Sequence, residues 1–258
     1  IYGTSSGGLI ALMLALKYDW CDIKKYIINC TWDTIIDFNM NNVMNIFSKK
    51  GVFDETLYVK VFEPLFSGKD LPLDLTLKQL YEYSNIDIHV FTTELNSFEV
   101  CDVSHESFPD LLVLEAMRMT SSFPLLISPL CKDDKFYLDG GIVKNYPLDD
   151  CIANNNLHDD TDTILGIKNI KSSVPKSNNL NNDSSLIDYI LGLIKYVTGK
   201  LSTSDKQIKI KNEIEMNCDG LSFESIINCI KYKDKRIQLV EDGYESTDKL
   251  TVILDEIL

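Results

Sequence analysis

The sequence predicts an α/β fold, a sheet with flanking helices in one domain. Three observations lead there. Short runs rich in β-branched and aromatic residues alternate with segments of helical periodicity, the pattern of strands joined through helices. A Gly/Ser-rich turn at residues 3–8 opens straight into the apolar run 9–16, as a strand-to-helix turn does. And 258 residues with 45% apolar and 25% charged content suit a chain with one large core. No repeat at a fixed period stands out.

Taken in order, residues 9–17 form a helix that is apolar on nearly every side, hence buried rather than amphipathic. Residues 20–66 place Tyr26, Ile27, Trp32, Ile35, Ile36 and Phe38 at roughly helical intervals, which reads as several short helices. Residues 75–83 read as a helix with Thr76 as N-cap. Residues 87–93 read as a strand, and 98–103 pair back onto it across the polar turn 94–97. A helix at 111–120 precedes the loop SSFPLLISPL, and the apolar runs 136–138 and 142–143 flank Asp139-Gly140-Gly141. TILGI, residues 163–167, reads as a buried strand. The Ser- and Asn-dominated stretch 171–185 is a surface loop or, if it moves, a lid. Beyond it come a strongly apolar helix at 186–198, a strand at 208–216 and helices at 222–230 and 235–244. The 186–198 helix reads first as core and second as the body of a lid. Residues 1–258 are taken as a single domain, with 1–170 as its core, because the 73 residues beyond the loop would enclose too little apolar volume alone.

Composition excludes several function classes. The net charge of −14 repels phosphate backbones and anionic headgroups at long range, which argues against a nucleic-acid partner. It leaves open a neutral or interfacial lipid, whose ester chemistry is local. The longest apolar run has eight residues, against about 20 for a membrane span. Seven cysteines are scattered with no CxxC pair and no four-ligand zinc spacing. They read as thiols in a reducing compartment, so the expected location is cytoplasmic, peripheral to membranes, and no metal or cofactor is expected. The first residue is Ile1 with no leader pattern before the fold, which reads as a start inside a longer protein. Oligomeric state is not legible.

Two segments carry chemistry. Gly3-Thr4-Ser5-Ser6-Gly7 matches G-x-S-x-G, a sharp turn that lifts a serine nucleophile above a sheet. Of the two serines only Ser5 has glycine at both offsets, where a side chain would collide with the adjoining strand and helix. The helix start behind it offers Ser6 N–H and a favourable dipole to a nascent oxyanion. Without catalysis, the same turn is a helix cap or a phosphate cradle, though it lacks the lysine of a P-loop and the spaced glycines of a dinucleotide site. YLDGGIVKNYP, residues 137–147, is the second segment. Asp-Gly between apolar runs signals a hairpin; an aspartate at a strand end before two glycines can also aim its carboxylate into a cleft. The three histidines have no distinctive setting: His89 falls in a strand, His105 in a polar run that reads as solvated loop, and His158 in the loop NNNLHDD.

These segments together resemble the patatin-like phospholipase family, as do FTTELNSFEV at 91–100 and Ser121–Pro124. The likeness runs from residue 1 to about 170 and more loosely through 237–244. It implies a three-layer fold with a mostly parallel central sheet and a Ser–Asp dyad that works without histidine. Ser5 falls on the family's nucleophile and Asp139 on its proton acceptor, with Gly3, Ser6, Gly7, Gly140 and Gly141 as motif and oxyanion support. The family's glycine-rich oxyanion loop lies upstream of the nucleophile, so the resemblance implies a chain truncated at its N-terminus. The implied activity is hydrolysis of phospholipid or other acyl esters through a Ser5 acyl-enzyme. Two alternatives stay open: an α/β-hydrolase with a Ser5–Asp–His158 triad, and a catalytically impaired relative that binds lipid or a partner protein.

Overall fold

The computed structural model describes residues 1–158, 160–170, 181, 189, 190, 192–194, 196, 197, 208–217 and 223–255. They fall into two compact units. The first comprises residues 1–23 and 33–147; the second comprises residues 24–32 and the described residues from 148 onward.

The first unit is mixed α/β with parallel strand pairs, the class expected from the sequence. Its main sheet has five strands: β1 (Tyr2–Thr4), β3 (His89–Glu94), β4 (Glu99–Val103), β6 (Leu130–Lys132) and β7 (Lys135–Asp139). β1 pairs with β3 in parallel, while β4 and β7 pair with β3, and β6 with β7, antiparallel. Two of the antiparallel pairs are the hairpins β3–β4 and β6–β7, whose short turns permit no other direction. The third, β3–β7, joins strands distant in sequence, so this sheet has one parallel pair against three antiparallel and is not the mostly parallel sheet the resemblance implied.

The registers locate the strands further. β4 lies opposite residues 90–94 of β3, all of one edge but His89. β1 lies opposite 89–91 and β7 opposite 92–94, so these two share the other edge and run toward each other along it. Their C-terminal ends meet between Phe91 and Thr92.

α1 (Ser6–Ala15) follows β1 directly; Ala11, Leu12, Met13 and Ala15 are buried, as its apolar sequence predicts. It packs on β1 and beside α7 (Val113–Ser121), which crosses β3, β6 and β7. α6 (Leu77–Ser84) begins at Thr76 with a full capping box: the Thr76 hydroxyl accepts from Gln79 N–H and the Gln79 side chain accepts from Thr76 N–H. Residues 20–66 hold α2 (Trp20–Asn29), α3 (Trp32–Ile35), α4 (Met40–Lys49) and α5 (Thr56–Ser67), as expected. Among them lies an unexpected strand, β2 (Gly51–Phe53), which pairs in parallel with β5 (Leu125–Ile127) inside the segment read as loop. Three residues are too few to show a period in sequence. The core gathers Leu12, Leu16, Phe62, Phe66, Phe91 and Met117.

In the second unit, α8 (Leu148–Asn154) precedes β8 (Leu165–Ile170), which pairs in parallel with β9 (Asn212–Asn217). α9 (Phe223–Lys231) and α10 (Lys233–Asp255) follow, α10 packing on β9 and α9. β8 corrects one expectation: Leu165 and Ile167 are 61% and 56% exposed, so TILGI is not a buried strand. Among the described residues it has one strand partner, and the Leu165–Ile167 face is left open. The loop expected at 171–185 lies outside the described residues apart from Asn181. The described residues between 189 and 197 are helical, and Tyr189, Leu193, Tyr196 and Val197 on them are exposed, which is not the burial of a core helix.

Candidate active site

Ser5 is the N-cap of α1 and stands one residue past β1. Its backbone has φ 53° and ψ −118°, a region that costs a non-glycine residue about 1–3 kcal/mol. The turn fits only because backbone passes very close to backbone. A Cβ on Gly3 would lie 2.6 Å from Gly7 C and 2.8 Å from Gly8 N. The downstream glycine behaves differently from expectation: a Cβ on Gly7 meets nothing within 4 Å, whereas one on Gly8 would press on Thr120 and Val90 at 3.0 Å. Helix α1 approaches the sheet at Gly8, and the second motif glycine faces open space.

Asp139 ends β7 and caps a short 3-10 turn, Gly140–Ile142. Asp-Gly here therefore makes a strand-end cap and not a hairpin. Gly140 tolerates no side chain, since a Cβ would lie 2.3 Å from Phe91 O. Gly141 N–H donates to Asp139 Oδ1 at 2.8 Å. Asp139 N–H donates to Ser122 O at 3.0 Å, and Thr93 Oγ1 donates to Asp139 O at 3.3 Å.

The head-on meeting of β1 and β7 brings the two groups together. The Ser5 side chain reaches close enough to the Asp139 carboxylate, which is 5% exposed, to favour its ionised form. Burial pushes the Asp139 carboxyl up to about 6, against the opposing pull of the Ser5 and Gly141 hydrogen bonds. Both donors are neutral, so neither offsets the loss of hydration as a cation would.

The end of α7 holds this geometry through three consecutive residues that the sequence did not single out for that purpose. Thr120 Oγ1 accepts from Ser5 N–H at 3.0 Å and donates to Phe91 O at 2.6 Å. Ser121 Oγ donates to Met117 O, and so accepts from the buried Tyr58 hydroxyl at 2.7 Å. Burial raises the Tyr58 pKa, and the negative charge of Asp139 adds to that rise. Ser122 carries the carbonyl that receives Asp139 N–H. Arg118, one turn earlier, binds Ser128 O, Ser128 Oγ and Pro129 O and so fixes the segment after Ser122. Its sequence signal was weak: a lone arginine in a helix usually marks a solvated face.

Two of the histidines, His89 and His105, face carboxylates other than Asp139. His89 Nδ1 lies 2.9 Å from the Asp102 carboxylate and Nε2 lies 3.1 Å from Asp87, with the ring stacked on Tyr2. Burial opposes its protonation, but the Asp102 and Asp87 carboxylates outweigh it and raise the pKa overall. His105 is not the solvated residue expected: its side chain is 16% exposed, stacked on Tyr81, with Nδ1 3.1 Å from Asp87. His158 is exposed in a turn of the second unit, whereas Ser5 and Asp139 belong to the first. Among the described residues no cluster of His, Cys, Asp or Glu can hold a metal ion, and no helix is long and apolar enough to cross a membrane.

Two outcomes follow. Gly3→Ala forces backbone apart and lowers the thermal midpoint sharply, while Gly7→Ala folds with wild-type or higher stability, because alanine favours a helix over glycine by about 1 kcal/mol. Calorimetry of the two variants distinguishes a packing role at each position. The second concerns Asp139, which keeps its proton to about 6 when folded instead of the ordinary 3.8. Between those values the folded state binds the extra proton, so stability is full below 3.8 and falls as pH rises through 6. The fall is on the order of 3 kcal/mol. Asp139→Asn should therefore melt higher than wild type at pH 8 and no higher at pH 3.5, in thermal scans at both values.

Known proteins share parts of this chain. Similarity extends to "Uncharacterized protein R571" of Acanthamoeba polyphaga mimivirus, 27% identical over 250 residues, covering 89% of this chain and 79% of the relative. "Probable lipid hydrolase 463L" of Invertebrate iridescent virus 6 is 23% identical over 156 residues, covering 60% of this chain and 53% of that protein. Among solved structures, VipD from Legionella pneumophila aligns with 85% of this chain and 46% of its own at 14% identity and a TM-score of 0.34. A family model described as patatin-like phospholipase matches residues 1–152, more than half of the chain and both the Ser5 and Asp139 segments. The chain belongs to the patatin-like phospholipase family.

Proposed function

We propose that this protein is a lipid acyl hydrolase that cleaves carboxylic esters of phospholipids or lysophospholipids with Ser5 as nucleophile and Asp139 as proton acceptor. The observation that carries the reading is that a strained, helix-capping serine and a buried carboxylate, whose pKa is raised toward neutrality, stand at strand ends that meet on one edge of β3. An isolated serine hydroxyl is a poor nucleophile, and a base of ordinary carboxylate strength removes its proton poorly. A carboxyl titrating near 6 is ionised at neutral pH and is a stronger base than a solvated one.

In the proposed reaction Ser5 Oγ attacks the ester carbonyl carbon as its proton passes to Asp139. The tetrahedral oxyanion forms beside the start of α1, where Ser6 N–H and the positive end of the helix dipole support it. The carbon–oxygen bond to the alcohol breaks, and Asp139 returns the proton to the departing alkoxide. Water then attacks the acyl-enzyme, gives its proton to Asp139, and releases the fatty acid as Ser5 recovers its hydrogen. The family membership and the relative named a probable lipid hydrolase support an acyl lipid as substrate. Within the first unit, His89 and His105 face the Asp102 and Asp87 carboxylates, which favours the dyad over a triad built on either of them.

The test is turnover of a soluble aryl ester together with labelling by a fluorophosphonate probe. Ser5→Ala loses both, Asp139→Asn loses turnover by at least a thousandfold, and His158→Ala leaves both at wild-type levels. Wild-type kcat/KM rises with pH through about 6 and levels off above, following ionisation of Asp139. Retained turnover in Ser5→Ala overturns the assignment, and loss in His158→Ala restores the triad.

A further inference from the structure

The place where β1 and β7 meet on the edge of β3 is a discontinuity in the ladder, and backbone groups at such a break need partners from outside the sheet. Thr120 supplies them. Its hydroxyl has one hydrogen and its lone pairs; the hydrogen goes to Phe91 O at 2.6 Å, which leaves a lone pair to accept Ser5 N–H at 3.0 Å. The residue is fully buried, so these bonds do not compete with water. Its methyl group faces the point of closest helix approach, where a Cβ on Gly8 would lie 3.0 Å from Thr120 Cγ2. Both functions of a threonine are thus in use at one position, a methyl against the helix and a hydroxyl between strand and turn.

We propose that Thr120 is a positioning residue for the nucleophile: by holding Ser5 N–H to the carbonyl at the strand junction, its hydroxyl keeps Ser5 in the strained backbone conformation that directs Oγ at Asp139. This rests on the reading of Ser5 and Asp139 as the reacting pair. Three facts together carry it. Ser5 has a backbone geometry that it would leave if released, with φ 53° and ψ −118°. Thr120 grips the amide of that same residue. The anchor on its other side, Phe91, stands opposite Thr4 of β1 and precedes Thr92, which stands opposite Asp139. The tether therefore references the serine to the strand that also positions the carboxylate. Relaxation of Ser5 by about an ångström is enough to cost on the order of a hundredfold in rate.

Three substitutions separate the hydroxyl from the methyl. Thr120→Ser keeps the hydroxyl, Thr120→Val keeps the shape, and Thr120→Ala keeps neither. On a soluble p-nitrophenyl ester we expect Thr120→Ser to hold kcat within about threefold, while Thr120→Val loses roughly ten- to a hundredfold in kcat with KM unchanged. The pH profile separates the two causes by direction, since looser packing that admits water lowers the Asp139 pKa whereas loss of the Ser5 contact raises it. The Ser5 hydrogen bond pulls the Asp139 pKa down, so loosening Ser5 shifts the acidic limb of kcat/KM upward from about 6 in Thr120→Val and leaves it in place in Thr120→Ser. If the valine variant fails to fold, the step from Thr120→Ser to Thr120→Ala isolates the hydroxyl instead, read by the rate of fluorophosphonate labelling. The proposal is overturned if Thr120→Val keeps wild-type kcat and pH limb, or if the loss appears on the threonine-to-serine step and removing the hydroxyl adds nothing. Failure of the nucleophile reading looks different: Ser5→Ala itself would then turn over ester.

Discussion

One strand edge cannot serve two strands over the same residues. β1 and β7 divide the edge of β3 between them and point toward each other along it, and the site is a product of that division. The chain must leave the sheet at both ends of the break, once as the turn into α1 and once as the 3-10 turn after Asp139. Two side chains that stand 134 positions apart in sequence are thereby delivered to one place. The same break explains the polar run at the end of α7. The Thr120 hydroxyl partners the Ser5 amide and the Phe91 carbonyl beside the junction, and Ser122 serves it through its backbone carbonyl.

The electrostatics follow from what surrounds the carboxylate. Asp139 has hydrogen-bond donors from a hydroxyl and an amide, whereas His89, on the neighbouring strand, has two carboxylates within 3.1 Å. Opposite consequences result. The histidine gains affinity for its proton from nearby anions, and its exchange with the outside is damped by burial. The aspartate holds its proton because water is excluded, not because another anion crowds it. A base made by dehydration alone is sensitive to solvent entry, so the tight backbone passages at Gly3, Gly8 and Gly140 matter to its strength as well as to packing.

Much of this was legible in the sequence. Long apolar patterns identified α1, α6 and α7, and the β3–β4 hairpin followed from two β-rich runs about a polar turn. Ser5 and Asp139 were marked by glycines whose spacing has a steric cause at two of the positions, Gly3 and Gly140. The misses have physical reasons. β2 and β5 are three residues each and carry no readable period. Gly7 looked sterically required because the motif contains it, but the helix meets the sheet one residue later. TILGI has the composition of a buried strand; burial, however, depends on which partners cover each face, and composition does not record that. Thr120 and Arg118 act through contacts across the fold, and no local pattern distinguishes such residues from their neighbours on a helix.

Gly3 and Gly140, one at each turn, are demanded by backbone that lies less than 3 Å from where a side chain would begin. That demand would persist in a descendant that had lost its hydroxyl or its carboxylate, since the turns must still close. Retention of these two glycines in such a descendant would thus record architecture. Two oxygen-bearing side chains, and the tether beneath one of them, are where a silent descendant would first diverge.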